Sequence, residues 1–273
     1  ERLGKGVAQL NVSTKEIKKI EVSIPQLKDQ KLIVSKINNV RKMLSKKRKF
    51  IENLKKLENN IYKKSFENFS DNSLDLKKIS LRNCVSEKNG IKAGPFGSSI
   101  KKSDYVPKGF RVYGQEQVIA GRFDIGDYYI SKSKYESLKS CSVKEDDILI
   151  SLVGTFGKIL KVPKGIEKGI INPRLLKITT DQNKMLPDFL VFQLRDNRTQ
   201  NYFSGRSHGG TMGILNASIL KELEVICPPI ELQNKFLKKI EVINHCRKKI
   251  NQSINLIEKL IESFENNLVQ DFR

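Results

Sequence analysis

Two stretches of the chain share one hydrophobic rhythm. From Phe236, apolar residues recur at Ile240, Ile243, Ile250, Ile254, Ile257, Ile261, Phe264 and Leu268 in alternating steps of four and three, with Arg247 as the polar break. Ile33, Ile37, Val40, Leu44, Ile51, Leu54 and Ile61 follow the same phase, interrupted by Lys47 and Glu58. A 4-3 pattern sustained over about five heptads predicts a coiled-coil seam rather than a generic amphipathic helix. Helices of about 35–40 residues rise about 50–60 Å, too far for a small domain to bury. Each seam is therefore the natural partner of the other, packed antiparallel across the span between them.

Both seams are entered through the same segment. Ile20-Glu21-Val22-Ser23-Ile24-Pro25-Gln26-Leu27-Lys28-Asp29-Gln30 reappears as Leu223-Glu224-Val225-Ile226-Cys227-Pro228-Pro229-Ile230-Glu231-Leu232-Gln233. Upstream, Leu10-Asn11-Val12-Ser13 echoes Leu215-Asn216-Ala217-Ser218. An internal repeat thus organises the chain. Between the seams the texture changes to short β-rich runs: Arg111–Tyr113, Asp127–Ile130, Asp147–Val153, Lys158–Val162 and Leu175–Ile178. Gly94-Pro95, Gly109, Gly121, Gly154, Gly157, Pro163 and Pro173 punctuate them. Leu186–Tyr202 reads as one helix with Pro187 in its first turn. The expected fold class is α+β, a β-rich domain with a curled or barrel-like sheet, flanked by two long α-helices that form an antiparallel coiled coil. The expected divisions are 1–26, the closing segment of a preceding domain; 27–69, the first long helix; 70–229, the β-rich domain; and 230–273, the second long helix.

Composition turns this architecture toward a polyanion. The 273 residues hold 51 Lys and Arg against 30 Asp and Glu, a net charge of +21, and 38% hydrophobic residues exclude wholesale disorder. Nucleic acid is the simplest partner for such a charge, and solvated lysine-rich helices are the plain alternative. No apolar run is long enough to span a bilayer, so a cytoplasmic protein without a membrane partner is expected. Cys84, Cys141, Cys227 and Cys246 lie too far apart for metal-ligand spacing. Arg41-Lys42, Lys46-Lys47-Arg48-Lys49, Lys55-Lys56 and Lys63-Lys64 give the first helix a basic face for DNA or a docked subunit.

Catalytic equipment is sparse. The histidines are His208 and His245, and no phosphate-binding Walker loop occurs. Asn172-Pro173-Arg174 lacks the second proline and the aromatic of an adenine-methyltransferase motif and reads as a turn between strands. The chain is expected to be non-catalytic.

Three local motifs, in this order and with the duplicated segment, resemble one family. They are Gly94-Pro95-Phe96-Gly97-Ser98-Ser99 followed by Lys101, Tyr105 and Gly109; Asp146-Asp147-Ile148-Leu149-Ile150-Ser151-Leu152-Val153-Gly154-Thr155-Phe156-Gly157-Lys158; and Leu215-Asn216…Pro228-Pro229…Gln233. The chain resembles, over essentially its whole length, the DNA-specificity subunit of type I restriction–modification systems. There, two target-recognition domains alternate with two helical regions. The resemblance implies that this chain reads one half of a bipartite site in double-stranded DNA while the helices space the halves. It implies methyltransferase (modification) subunits and a restriction/translocase subunit as partners. Those partners would use S-adenosylmethionine, ATP and Mg, with no cofactor in this chain. Residues 1–25 match only the end of a first recognition domain. The chain is thus expected to be a fragment, or else a half-subunit that forms a homodimer. The alternatives are the recognition part of a DNA-modifying enzyme whose catalytic domain lies elsewhere, and a coiled-coil structural protein binding RNA or membranes through its basic surface.

DNA readers need cations for phosphates and side chains that meet base edges. Ser98, Ser99, Lys101 and Lys102 offer the first, in a glycine-rich turn. Gln115 and Gln117 suit adenine and Arg122 suits guanine, in what reads as an exposed polar stretch. Thr155 and Lys158 bracket a glycine-containing hairpin, and Arg206 and His208 lie in a glycine-rich exit loop. Phe96 and Phe156 are expected to be core anchors.

Overall fold

Both long helices start from the repeated segment and close with the same hydrogen bond. In the computed structural model, which describes residues 24–66, 76, 78–206 and 215–271 with the short stretches 4–5, 11–12 and 14–19, helix α1 spans Leu27–Phe66 and helix α7 spans Ile230–Asp271. At the first, Gln30 Nε2 donates to the Pro25 carbonyl at 2.8 Å; at the second, Gln233 Nε2 donates to the Pro228 carbonyl at 2.7 Å. Backbone bonds match too: the Gln30 amide donates to the Gln26 carbonyl, the Gln233 amide to that of Pro229. Proline supplies a carbonyl where no amide is needed, and the glutamine five residues on folds back to use it. The repeat in the sequence is thus a repeated helix entrance.

The chain divides into two units, residues 1–60 with 240–273, and residues 61–239. In the first, α1 and α7 run antiparallel. Arg48 Nη2 meets Glu258 Oε1 at 2.7 Å, and Arg247 is ion-paired with Glu58, so rising numbers on one helix face falling numbers on the other. Leu44, Leu54, Ile243 and Ile254 are buried along the seam. Two of the polar breaks in the hydrophobic pattern therefore find each other. The Glu58 side chain is 11% exposed, so the pair sits within the seam and fixes its register, as a lone polar position does in coiled coils. Glu58→Ala is expected to destabilise the helix pair by about 2–3 kcal/mol, because the guanidinium is left without its partner. Adding Arg247→Met should recover most of that loss in thermal unfolding followed by circular dichroism. If the double variant is as weak as the single, the pair does not set the register.

The second unit is β-rich. One sheet takes β3 (Tyr105–Val106), β4 (Phe110–Tyr113), β5 (Tyr129–Ile130) and β8 (Gly169–Ile171) in the order β8-β4-β5-β3; the other takes β2 (Ile91–Ala93), β6 (Ile148–Ser151), β7 (Ile159–Lys161) and β9 (Leu175–Ile178) in the order β2-β9-β6-β7. Strands β8 and β4 are parallel, with Ile171 opposite Tyr113, and the remaining pairs in these sheets are antiparallel. Instead of one curled sheet there are two, sharing a core that includes Val112, Ile130, Leu149, Val162, Ile170 and Leu175. A short pair, β1 (Lys78–Ser80) with β10 (Glu224–Ile226), ties the two ends of the domain together.

At the centre of the second sheet lies a buried ion pair. Asp147 is fully buried; its Oδ2 accepts from the Lys144 amide at 2.8 Å and from Lys177 Nζ at 3.3 Å, and its Oδ1 accepts from Thr179 Oγ1. Lys177, on β9, is 4% exposed. A second cluster is aromatic: Phe236 packs against Tyr62, Phe66, Phe189 and Phe192 with centroids 4.9–5.8 Å apart. Beside it, Gln193 Oε1 accepts from the Ile226 amide at 2.8 Å and its Nε2 donates to the Ile226 carbonyl at 2.8 Å, so one side chain pairs with β10 as a strand would.

The helix expected over Leu186–Tyr202 is two helices, α4 (Pro187–Arg195) and α5 (Asn197–Arg206), which lie in the chain between the short helices α3 (Lys132–Ser137) and α6 (Ala217–Lys221). Asp196 breaks it with extended backbone (φ −63°, ψ 145°), and its carboxylate accepts from the Arg198 amide at 3.0 Å. An Asp that takes the first amides of a new helix is favoured over helical continuation.

Candidate nucleic-acid interface

Sheet register decides which loops meet. Strand β2 ends at Ala93 opposite Leu176, β6 ends at Ser151 opposite Leu175, and β7 begins at Ile159 opposite Ile150. The loop after β2, the β6–β7 hairpin and the turn before β9 therefore leave one edge of one sheet. Backbone bonds knit them: the Gly94 amide donates to Leu175 at 2.8 Å, and the Leu152 amide to Arg174 at 2.9 Å. The Leu215 amide donates to Leu152 at 3.3 Å, so the chain returns to this edge after the segment that follows α5.

Each loop is shaped by a few residues. A Cβ on Gly94 would lie 1.9 Å from the Asn172 carbonyl oxygen, so only glycine allows the first loop to touch the turn. In the hairpin, Gly154 (φ +68°) and Gly157 (φ +72°) adopt left-handed backbone. Ser151 is buried beneath them: its hydroxyl donates to the Thr155 carbonyl at 2.6 Å and accepts from the Lys158 amide at 3.0 Å. Gln200, on α5, donates to the Gly157 carbonyl at 3.3 Å and braces the hairpin from behind.

The expected contacts sort unevenly on this frame. Ser98, Lys101, Lys102, Thr155 and Lys158 are exposed on these loops, and Ser99 is half-buried with its amide bonded to the Phe96 carbonyl at 2.7 Å. The Lys101 amide donates to Asp104 at 2.7 Å, and Lys134 lies 3.1 Å from the same carboxylate. These two partners, the amide foremost, hold the Asp104 carboxyl below the usual range. Arg174 was not among the expected contacts. It is exposed at the same edge, its amide bonded to Asn172 Oδ1 at 2.9 Å. Asn172–Arg174 is the turn that its sequence suggests.

The stretch after β4 is a short helix, α2 (Gln115–Ala120), rather than an exposed loop. Gln117 cannot meet a base there. It is 1% exposed, its Oε1 accepts from the Gly114 amide at 2.8 Å, and its Nε2 donates to the Ile125 carbonyl at 2.7 Å. Gln115 is better placed. The Asn172 amide donates to the Tyr113 carbonyl at 2.8 Å, so α2 begins beside the turn that carries Arg174. Gln115 Oε1 is buried and has no hydrogen-bond partner among the described residues. Arg122 is exposed beyond the far end of α2, with both guanidinium edges of its fork given to Asp124 at 2.6 and 2.5 Å. That bond holds the Asp124 carboxyl low and the guanidinium high, so Arg122 is already committed to a carboxylate. Arg206 ends α5, with its side chain outside the described residues; His208 also lies outside them.

Phe96 overturns its expected role as a core anchor. It is 87% exposed, because the neighbouring Pro95 and Ile100 fill the buried positions of the loop. Phe156 is half-buried. Among the described residues no group of three or more His, Cys, Asp or Glu is arranged to hold a metal ion, and no helix is long and apolar enough to cross a membrane.

Comparison with known proteins gives one answer. The profile of the type I restriction modification DNA specificity domain matches residues 1–56 and 96–259. The chain is 22% identical over 247 residues, 88% of its length, to a protein provisionally named the type I restriction enzyme MjaX specificity subunit of Methanocaldococcus jannaschii, and covers 56% of that relative. Its fold is shared with a chain solved in connection with complex assembly and conformational transition of the type I R-M system, with TM-score 0.63 and 14% identity over 93% of this chain and 62% of that one. The S subunit of a type I restriction-modification system from M. genitalium matches with TM-score 0.56 and 15% identity, over 96% of this chain and 66% of that one.

Proposed function

Since the chain belongs to the type I restriction modification DNA specificity domain family, we propose that it binds duplex DNA sequence-specifically and supplies recognition of one half of a bipartite site. The observation that carries this reading is that Lys101, Lys102, Lys158 and Arg174 are exposed on three loops that leave one sheet edge, with Gln115 next to the turn that carries Arg174. None of the four cations is ion-paired among the described residues. Cations placed this way neutralise phosphates, and the adjoining Gln115 amide, once its side chain turns outward and frees the buried Oε1, matches the donor and acceptor pair on adenine. The long helices would space the half-sites and dock modification and restriction subunits. In this proposal those subunits bring S-adenosylmethionine, ATP and Mg, and this chain performs no chemistry of its own.

Binding of the full chain to duplexes across a salt series tests the reading. With five or more neutralised phosphates the log–log slope should be steeper than about −4. Replacing Lys101 and Lys102 by Gln should flatten that slope and weaken all duplexes alike. Gln115→Ala should alter the sequence preference, with losses of roughly 1–3 kcal/mol at the site it reads. A flat salt response removes the nucleic-acid reading.

A further inference from the structure

We propose that Phe96 is a wedge that enters the base stack of the bound duplex; this rests on the DNA-binding reading and extends it to how the duplex is deformed. The loop that carries Phe96 is fixed on both sides. Pro95 and Ile100 are buried, the Gly94 amide is bonded to Leu175 at 2.8 Å, and the Ser99 amide closes on the Phe96 carbonyl at 2.7 Å. Gly94 is further locked against the Asn172–Pro173 backbone, where no Cβ fits. From this clamped turn Phe96 projects with 87% of its surface exposed, the most exposed large apolar side chain among the described residues. Folding gains nothing from a ring held that way.

A second observation points outward as well. A Cβ on Gly97 would meet no atom within 4 Å, and its backbone is not in the left-handed region. Neither crowding nor conformation demands glycine there, so the missing side chain serves something that approaches from outside. Lys101 and Lys102 follow on the same loop, and Lys158 and Arg174 share the edge. An apolar plate on a loop that carries cations, beside further cation-bearing loops, matches a duplex, whose rim is anionic and whose interior is a stack of apolar faces. Phenylalanines that enter such a stack from a basic surface unstack one step and bend the helix. The clamped backbone means that the ring is aimed before DNA arrives.

The test uses the full chain and duplexes that it selects from a randomised pool, with 2-aminopurine placed in turn at each position of the recovered consensus. The parent protein should raise 2-aminopurine fluorescence at one step, as unstacking does. Phe96→Ala should abolish that rise and weaken binding roughly tenfold or more, with the consensus unchanged. Phe96→Trp should keep the rise, whereas Gly97→Val should suppress it with Phe96 still present. The thermal midpoint of Phe96→Ala should equal that of the parent, since the ring is exposed. A consensus with no fluorescence rise at any step overturns the wedge and leaves the DNA reading standing, as does unchanged affinity of Phe96→Ala. Loss of binding to phosphatidylserine vesicles, with duplex binding intact, would assign the ring to a lipid surface and overturn the wedge. No consensus and a flat salt response would overturn both.

Discussion

Asp147→Ala is expected to unfold the β-rich unit under conditions where the parent remains native. Asp147 is fully buried and its two oxygens serve the Lys144 amide, the Thr179 hydroxyl and the Lys177 ammonium. Removing it strands Lys177, 4% exposed on the second strand of its sheet, with no carboxylate. Breaking a buried pair from one side costs about 3–5 kcal/mol. A domain is typically stable by only about 5–15 kcal/mol. Replacing both partners is different in kind: Asp147→Ala with Lys177→Met removes the stranded charge, and most of the loss should return. Urea unfolding of the two variants separates the cases. A single variant within about 1 kcal/mol of the parent would mean that water reaches the ammonium.

Phe236→Ala should be nearly as severe. The ring is 1% exposed and touches four other aromatics, all of them edge-on, the nearest centroid 4.9 Å away in Phe192. Deleting a buried Phe costs about 3–5 kcal/mol, because its neighbours collapse only partly into the space. Phe264, on the same helix and 39% exposed, is the internal control. Its replacement by Ala should cost less than about 1 kcal/mol. The comparison removes helix propensity from the result, since both substitutions are Phe to Ala in one helix. Equal losses in chemical denaturation would show that the aromatic cluster is not what holds the base of α7.

How much of this was visible beforehand depends on whether a feature is local. The long helices were legible because a 4-3 pattern persists across many turns, and the repeated Pro–Gln segment announced both entrances. Strands β4, β6, β7 and β9 stood out as apolar β-branched runs between glycines and prolines. Helix α2 did not, since six residues between Gly114 and Gly121 are too few to display a period. The break at Asp196 carries no Gly or Pro, and is made by an Asp competing for amides. Among the candidate contacts, residue type singled out Lys101, Lys102 and Lys158, which are exposed, and Gln115, whose buried Oε1 lacks a partner among the described residues. It misjudged Gln117, whose amide closes a turn, and Phe96, whose expected burial had been taken by Pro95 and Ile100. Arg174 became visible only when strand register brought its turn beside the other loops.

The division of labour along that sheet edge bears on how such a protein can change over generations. Every residue of β6 and β9 is buried, and the loops are held by Gly94, Ser151 and Gln200 through backbone contacts. The tips at Ser98, Thr155, Lys158 and Arg174 are exposed and contribute little to that framework. Substitutions at the tips therefore fall where stability is nearly indifferent, usually within about 0.5 kcal/mol. Substitutions at the three anchors do not. A lineage can consequently wander through many surface chemistries at this edge without crossing an unfolded ancestor, provided those anchors stay. Evolvability here is a property of where the hydrogen bonds end.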